Sequence, residues 1–242
     1  MCPTPVAVPT TSLTTHQNSQ SQMILWLLEE LGIDYNLNLF ERQTSGAGKN
    51  RAPESLKETH PLGKAPQLIT PEGRVLIERS AIAKYLIEKY DTAGKFKLNP
   101  DNPENDVIRE EELISFGGNS LSPILMIQMV FKFVRDGSPF FVRPIIGSIS
   151  AMVNKAFLSN EADSMMRYLD DSLKGKNYFL STDNPTRVDF LMLWYVDLTI
   201  MAESSDLNTY SNVKSWYDRC KGREAWKRSL QKGNGYDINL KI

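Results

Sequence analysis

An α/β amino-terminal domain followed by an all-α carboxy-terminal domain is the architecture expected from this 242-residue chain. Three observations carry the expectation. Residues 12–40 read as strand, helix, strand; two short strands meet at the turn Pro71-Glu72-Gly73; and no strand-like alternation occurs from Asn105 onward. The length accommodates two modest domains, each able to bury a core.

Ser12 to Thr15 is short and threonine-rich, fit for a strand, and a helix opens at Ser19 with Ile24, Leu27, Leu28 and Leu31 at helical spacing. Gly32 stops it. Tyr35, Leu37 and Leu39 alternate with Asn36, Asn38 and Phe40, so a second strand follows, and such a unit is parallel and right-handed. Gln43 to Pro53, with Gly46, Gly48, Lys49, Asn50 and Arg51, is a polar loop, and a short helical piece covers Glu54 to Thr59. The strands Gln67 to Thr70 and Arg74 to Ile77 precede a closing helix with Ile82, Tyr85, Leu86 and Tyr90 on one face. The turn-rich stretch DTAGKFKLNPDNP, Asp91 to Pro103, separates the domains. Helices are expected near 105–135, 144–173, 188–201 and 212–230. The boundaries are an arm at 1–11, an α/β domain at 12–91, a linker at 92–103 and a helical domain at 104–242.

With 28 lysines and arginines against 29 acidic residues, the chain has no net field to gather nucleic acid or anionic lipid. The uncharged stretch Leu113 to Phe131 has the length of a membrane span. Gly117, Gly118, Asn119, Pro123 and Gln128 interrupt it, and it is read as a buried helix with no membrane role. The opening MCPTPVAVPT lacks a basic start, an apolar run and a small-residue cleavage site, so a cytoplasmic location is expected. Cys2 and Cys220 form no CxxC pair, so any sulfur chemistry uses sulfur brought by a ligand.

Three motifs in order, NSQSQMILWLLEELGIDY (Asn18 to Tyr35), HPLGKAPQL (His60 to Leu68) and IERSAIAKYLIEKY (Ile77 to Tyr90), resemble the cytosolic glutathione transferases, above all the yeast-type fungal branch and its bacterial relatives. NPTRVDFLM (Asn184 to Met192) matches more weakly. The resemblance implies a thioredoxin-like first domain that binds glutathione and a helical second domain that supplies the pocket for a small electrophile. It also implies a homodimer. No metal is expected: with 2 histidines in the chain and no ligand cluster, His60 reads as structural.

The resemblance assigns the binding residues. Pro66 is expected to be cis, the isomer that costs little only at X-Pro bonds, so that the backbone of Ala65 pairs with the cysteinyl part of glutathione as an added strand would. Lys64 is a point charge for the glycine carboxylate, although a solvated loop lysine is the plain alternative. The family's usual Glu-Ser pair at the last helix binds the ligand's ammonium and α-carboxylate, and here Glu78 is followed by Arg79. A one-residue slip that brought Ser80 into the serine's place would rotate the apolar face by about 100°. Arg79 is therefore read as replacing the hydroxyl with a charge-assisted contact.

The turn Asn18-Ser19-Gln20-Ser21-Gln22 is the thiol-activating element. Lowering a thiol pKa from about 8.5 to about 6.5 takes roughly 2.7 kcal/mol. A helix N-terminus gives about 0.3 to 1 kcal/mol, so a side-chain donor is needed, with Ser19 first and Asn18 second. Ser19 and Ser21 also suit simple helix capping. Gln20 and Met23 stand where relatives often carry arginines, which leaves fewer cations near the sulfur. In the helical domain the resemblance places Ser115, Phe116 and Asn119 at the substrate pocket, with Met126, Met129 and Phe133 continuing along the helix as core or pocket. Thr186-Arg187-Val188-Asp189 has capping-box form and a role in stability.

Three functions fit this pattern. The first is conjugation, in which glutathione thiolate attacks an electrophilic carbon. The second is isomerisation of an activated double bond by reversible thiol addition, a dedicated step of specialised metabolism to which the unusual Gln20, Met23 and Arg79 lend weight. The third is a non-catalytic scaffold on the same fold. A reductase using a protein cysteine is disfavoured, since no cysteine lies in the turn.

Overall fold

The structure is a computed structural model that describes residues 10–43, 51–99, 101–103, 106–180 and 182–238. The expected arm up to residue 9, Cys2 within it, and loop residues 44–50 lie outside the described residues. Two compact units are present: the described residues up to Tyr90 with Glu224–Tyr236, and the described residues from Asp91 to Arg223 together with Asp237 and residue 238. By its contacts the segment Glu224–Tyr236 groups with the α/β unit.

The first unit contains β1 (Thr11–His16), α1 (Ser21–Leu31), β2 (Tyr35–Phe40), a 3-10 turn (Glu54–Glu58), β3 (Gln67–Ile69), β4 (Val75–Leu76) and α2 (Arg79–Tyr90). The sheet is four-stranded in the order β2-β1-β3-β4, with β1 parallel to β2 and the other pairs antiparallel. This is the expected strand-helix-strand unit with a following hairpin. The hairpin's return strand is shorter than expected. Gly32 ends α1 at φ 63, a left-handed conformation that donates its N–H to the Leu28 carbonyl. Every residue from Ser21 to Glu29 is buried, so α1 is the centre of the unit rather than an amphipathic cover.

The last helix expected, near 212–230, is broken into α8 (Ser211–Gly222) and α9 (Glu224–Lys232), because Arg223 adopts extended backbone at φ -66, ψ 139. α9 packs on α1. Trp26 and Trp226 meet edge-to-face at 5.7 Å, and the Gln22 side chain donates to Ser229 Oγ at 2.7 Å. Glu29, 5% exposed at its side chain, takes hydrogen bonds from Arg228 Nε at 3.0 Å and from Lys232 Nζ and Tyr35 OH. Burial alone raises the Glu29 pKa, but the bonds from Lys232, Tyr35 and Arg228 outweigh it and hold the carboxyl below its ordinary 4.5. A cation-and-phenol cage of this kind fixes α9 to the α/β unit through charge as well as packing.

The second unit contains α3 (Val107–Ser115), α4 (Ser122–Gly137), α5 (Arg143–Val153), α6 (Ser159–Ser172), α7 (Arg187–Met201) and α8. A π-turn at Phe116–Leu121 joins α3 to α4, and another at Asn154–Leu158 joins α5 to α6. The central helix is α7, buried from Arg187 to Thr199. Its capping box is formed as expected from the sequence. Asp189 Oδ2 accepts the N–H and hydroxyl of Thr186 at 2.7 and 2.9 Å, while Oδ1 accepts the Phe179 N–H at 3.2 Å and Trp216 Nε1 at 2.8 Å. Burial pushes the Asp189 pKa up. Cys220 on α8 is fully buried and its thiol is likewise pushed up by burial, so it is an inert core group.

One expectation fails here. The stretch 113–131 belongs to a continuous 31-residue helix, Val107–Gly137, that is long and apolar enough to cross a membrane by length and composition, and only a third of its most apolar window is buried. Met126, Ile127, Val130, Phe133 and Val134 are exposed on α4, and Phe140, Phe141, Ile145, Ile149 and Met152 are exposed on α5 and the segment before it. Of the predicted Met126, Met129 and Phe133 stripe, only Met129 is core. Sequence hydrophobicity fixes that a face is apolar, but it does not say whether chain or solvent covers it.

Candidate active site

The predicted site residues are collected by sheet register. The last parallel pair of β1 and β2 is His16 with Phe40, so the chain leaving β1 at Asn18 runs beside the chain leaving β2 at Arg42. The antiparallel pair Thr14 with Gln67 puts Ala65 and Pro66, just before β3, at that same end of β1. The pair Leu68 with Leu76, continued two residues along both strands, brings Glu78 opposite Pro66. Three motifs separated in sequence therefore meet at one edge of a small sheet.

The Ala65-Pro66 peptide is cis, as expected. Ala65 stands before the first pair of the β1–β3 ladder, so its backbone groups are not used in the sheet. Lys64 is exposed and His60 half-buried. His60 Nδ1 accepts the Leu62 N–H at 3.3 Å. Gln67, fully buried, donates to the Leu56 carbonyl at 3.1 Å and so pins the loop before Pro66.

Two of the predicted residues have left-handed backbone although neither is glycine: Asn18 at φ 46 and Glu78 at φ 65. This region is uncommon for such residues, and the outliers collect at ligand sites. Glu78 is exposed and stands immediately before α2, and its carbonyl accepts the Ile82 N–H at 3.0 Å. Arg79 is 7% exposed and lies on the same stripe as Ile82, Ala83, Leu86 and Ile87. The helix has not slipped. Arg79 faces inward at the first turn of α2, and it already interacts within the protein.

At the thiol turn, Ser19 is buried at 5% exposure; its Oγ accepts the Ser21 N–H at 3.3 Å and donates to Ser21 Oγ at 2.9 Å. Both serines thus take part in one small hydroxyl relay at the start of α1. Gln20, the residue before α1, makes no side-chain cap bond, and Met23 is fully buried, which makes it a core residue. A cation that the sequence reading did not single out, Arg42, lies against this turn. Its guanidinium donates Nε to the Gln17 carbonyl at 3.0 Å and Nη2 to the Asn18 carbonyl at 2.9 Å. Burial lowers the Arg42 pKa from its ordinary value. Only the β1–β2 register reveals this residue, and the sequence does not print a register.

In the helical unit Ser115 and Asn119 are exposed on either side of the π-turn's start. Phe116 is instead directed to α6, where its ring lies 4.9 Å from that of Tyr168. Within the π-turn a Cβ on Gly117 would stand 2.6 Å from the Tyr195 ring, so the tyrosine presses directly on backbone there. Among the described residues no cluster of three or more His, Cys, Asp or Glu is placed to hold a metal ion.

The glutathione S-transferase N-terminal domain profile matches residues 19–89, and the C-terminal domain profile matches residues 148–232. Glutathione S-transferase 3 of Schizosaccharomyces pombe is 27% identical over 93% of this chain and 88% of its own. Glutathione S-transferase 1 of Saccharomyces cerevisiae is 23% identical over 92% and 95%. Among solved structures, a glutathione S-transferase of Actinobacillus pleuropneumoniae superposes with TM-score 0.74 at 24% identity, covering 96% of this chain and 97% of that one. A glutathione transferase homologue of Lodderomyces elongisporus, solved with two GSH per subunit, gives 0.68 at 22% identity over 92% and 98%. With both domain profiles in the family's order and full-length relatives on either side of 25% identity, this chain belongs to the glutathione S-transferase family.

Proposed function

We propose that the sheet edge binds glutathione and that the turn at Asn18 and Ser19 holds its sulfur as a thiolate, which attacks a small electrophile. The observation that carries this reading is the meeting of cis-Pro66, left-handed Glu78 and left-handed Asn18 at one end of β1. In the reaction the thiol proton passes to water, the sulfur lone pair forms a C–S bond, and the leaving group departs with its bonding pair. Turning the Ser19 hydroxyl from Ser21 toward the incoming sulfur needs only a torsional rotation, and Ser21 N–H remains behind to support Ser19 Oγ.

Calorimetric titration with glutathione, thiolate absorbance of the bound ligand across pH, and mass spectrometry of products from an activated aryl halide test the reading together. Binding at micromolar to millimolar concentration, a thiol pKa near 6.5 and a thioether product are expected. Ser19→Ala is expected to raise the bound thiol pKa by about 1.3 to 1.8 units, the share of roughly 2.7 kcal/mol that a helix terminus does not supply. A bound thiol that titrates at its free value in the native protein would refute the assignment.

Reversible addition without net conjugation is the competing outcome. It gives an isomerised substrate and unchanged glutathione in the same mass spectrum. The exposed apolar face of α4 and α5 is proposed to close on a second copy of the chain, because a two-fold contact lets one apolar stripe cover its own equivalent. The Lodderomyces elongisporus relative is itself described by subunit. Sedimentation equilibrium is expected to give twice the 27.5 kDa chain mass, and a monomer at micromolar concentration rejects the contact.

A further inference from the structure

We propose that Arg42 and the carboxy-terminal tail at Gly235 are positioning residues that hold the thiol turn in its activating conformation; this rests on the reading that the turn binds the glutathione sulfur. Asn18 is gripped from two directions. Its N–H donates to the Gly235 carbonyl at 3.1 Å, and its carbonyl accepts Arg42 Nη2 at 2.9 Å, while Arg42 Nε takes the Gln17 carbonyl at 3.0 Å. One grip comes from the end of β2 and the other from the far end of the chain. Together they secure Asn18 in the left-handed region, which asparagine visits more readily than other non-glycine residues.

The tail is itself built into the α/β unit. Asn234 Nδ2 donates to the Phe40 carbonyl at 2.7 Å, next to the last β1–β2 pair. The Gly233 N–H continues α9 by donating to the Ser229 carbonyl at 3.0 Å. A Cβ on Gly233 would lie 3.3 Å from both Gln22 Oε1 and Leu25 Cδ2 of α1, so the tail passes close to the helix that the turn opens. Gly235 has φ 106, a conformation that side-chain-bearing residues rarely adopt. The Glu29 cage and the Gln22–Ser229 bond anchor α9, and through it the tail, to α1.

The arrangement bears on sulfur chemistry because carbonyl oxygens beside a thiolate oppose its charge. Binding two consecutive carbonyls to one guanidinium withdraws their lone pairs and leaves a positive charge behind the turn. It supplies a cation that the turn's own residues lack. A planar fork spans two carbonyls, whereas an ammonium is a single point charge.

Arg42→Met, Arg42→Lys and Gly235→Ala test the proposal. The Cβ of Gly235→Ala meets nothing within 4 Å, so this variant acts through backbone φ alone. Glutathione affinity is expected to stay within about threefold in all three, because the ligand's carboxylates are held elsewhere. The bound thiol pKa is expected to rise by about one unit in Arg42→Met, with kcat at neutral pH falling about threefold as the thiolate fraction drops. Arg42→Lys is expected to stay near Arg42→Met, and Gly235→Ala to shift the same way by less. A native thiol pKa in both Arg42→Met and Gly235→Ala overturns the proposal, as does full recovery in Arg42→Lys, which would make charge alone sufficient. Failure of the native protein to bind glutathione removes the underlying reading and this inference together. Native binding and a native low pKa with unaltered variants remove only the inference.

Discussion

Asp189→Ala is expected to cost about 3 to 5 kcal/mol of stability, the penalty for leaving several buried donors without an acceptor. The carboxylate takes the N–H and hydroxyl of Thr186 on one oxygen and the Phe179 N–H and Trp216 indole N–H on the other. It thus caps α7, fixes the segment before it, and ties both to α8. α7 is buried from Arg187 to Thr199, so little water reaches the site to replace the lost acceptor. Asp189→Asn sharpens the expectation. An amide accepts on one side only, and its NH2 would face at least one fixed N–H donor whichever way it turned, so this isosteric change should still cost about 2 kcal/mol. Urea unfolding followed by far-ultraviolet circular dichroism measures both. If Asp189→Ala loses less than about 1 kcal/mol, packing rather than this carboxylate holds α7.

The sequence displays the order of elements in the first unit because each is announced locally. The alternation of Tyr35, Leu37 and Leu39, the helical spacing of Ile24, Leu27, Leu28 and Leu31, and Gly32 as a stop signal all act over a few residues. Pro66 was readable as cis from its motif, whereas of the face read from Ile82, Tyr85, Leu86 and Tyr90 only Ile82 and Leu86 are buried, and the buried stripe of α2 runs through Arg79, Ala83 and Ile87 as well. Long-range placement was not readable. Arg42 reaches the thiol turn only because β1 and β2 pair in one particular register. Likewise nothing local assigns residues 224–236 to the α/β unit: Trp226 and Ser229 find Trp26 and Gln22 across most of the chain length. The exposed face of α4 and α5 has the composition of a core, and hydrophobic pattern does not distinguish a core from a surface that another molecule covers.

Arg79→Ala is expected to weaken glutathione binding by about 30- to 100-fold, the loss of one charge-assisted contact of roughly 2 to 3 kcal/mol. The residue opens α2 directly after left-handed Glu78, where the first turn's N–H groups have no intrahelical partners and favour an anion. Arg79 is 7% exposed, so its side chain is held at this point rather than solvated. Arg79 also interacts within the protein, so some loss of stability accompanies its removal. The two effects separate experimentally. Arg79→Ser restores the family's usual hydroxyl and leaves the helix N–H groups in place, so it should recover affinity to within about fivefold of native while recovering little of any stability loss. A purely structural Arg79 would instead leave calorimetric affinity unchanged in Arg79→Ala and shift only the unfolding midpoint. In that case the α-carboxylate would be held by backbone N–H groups and Glu78 would be left to secure the ammonium end of the ligand alone.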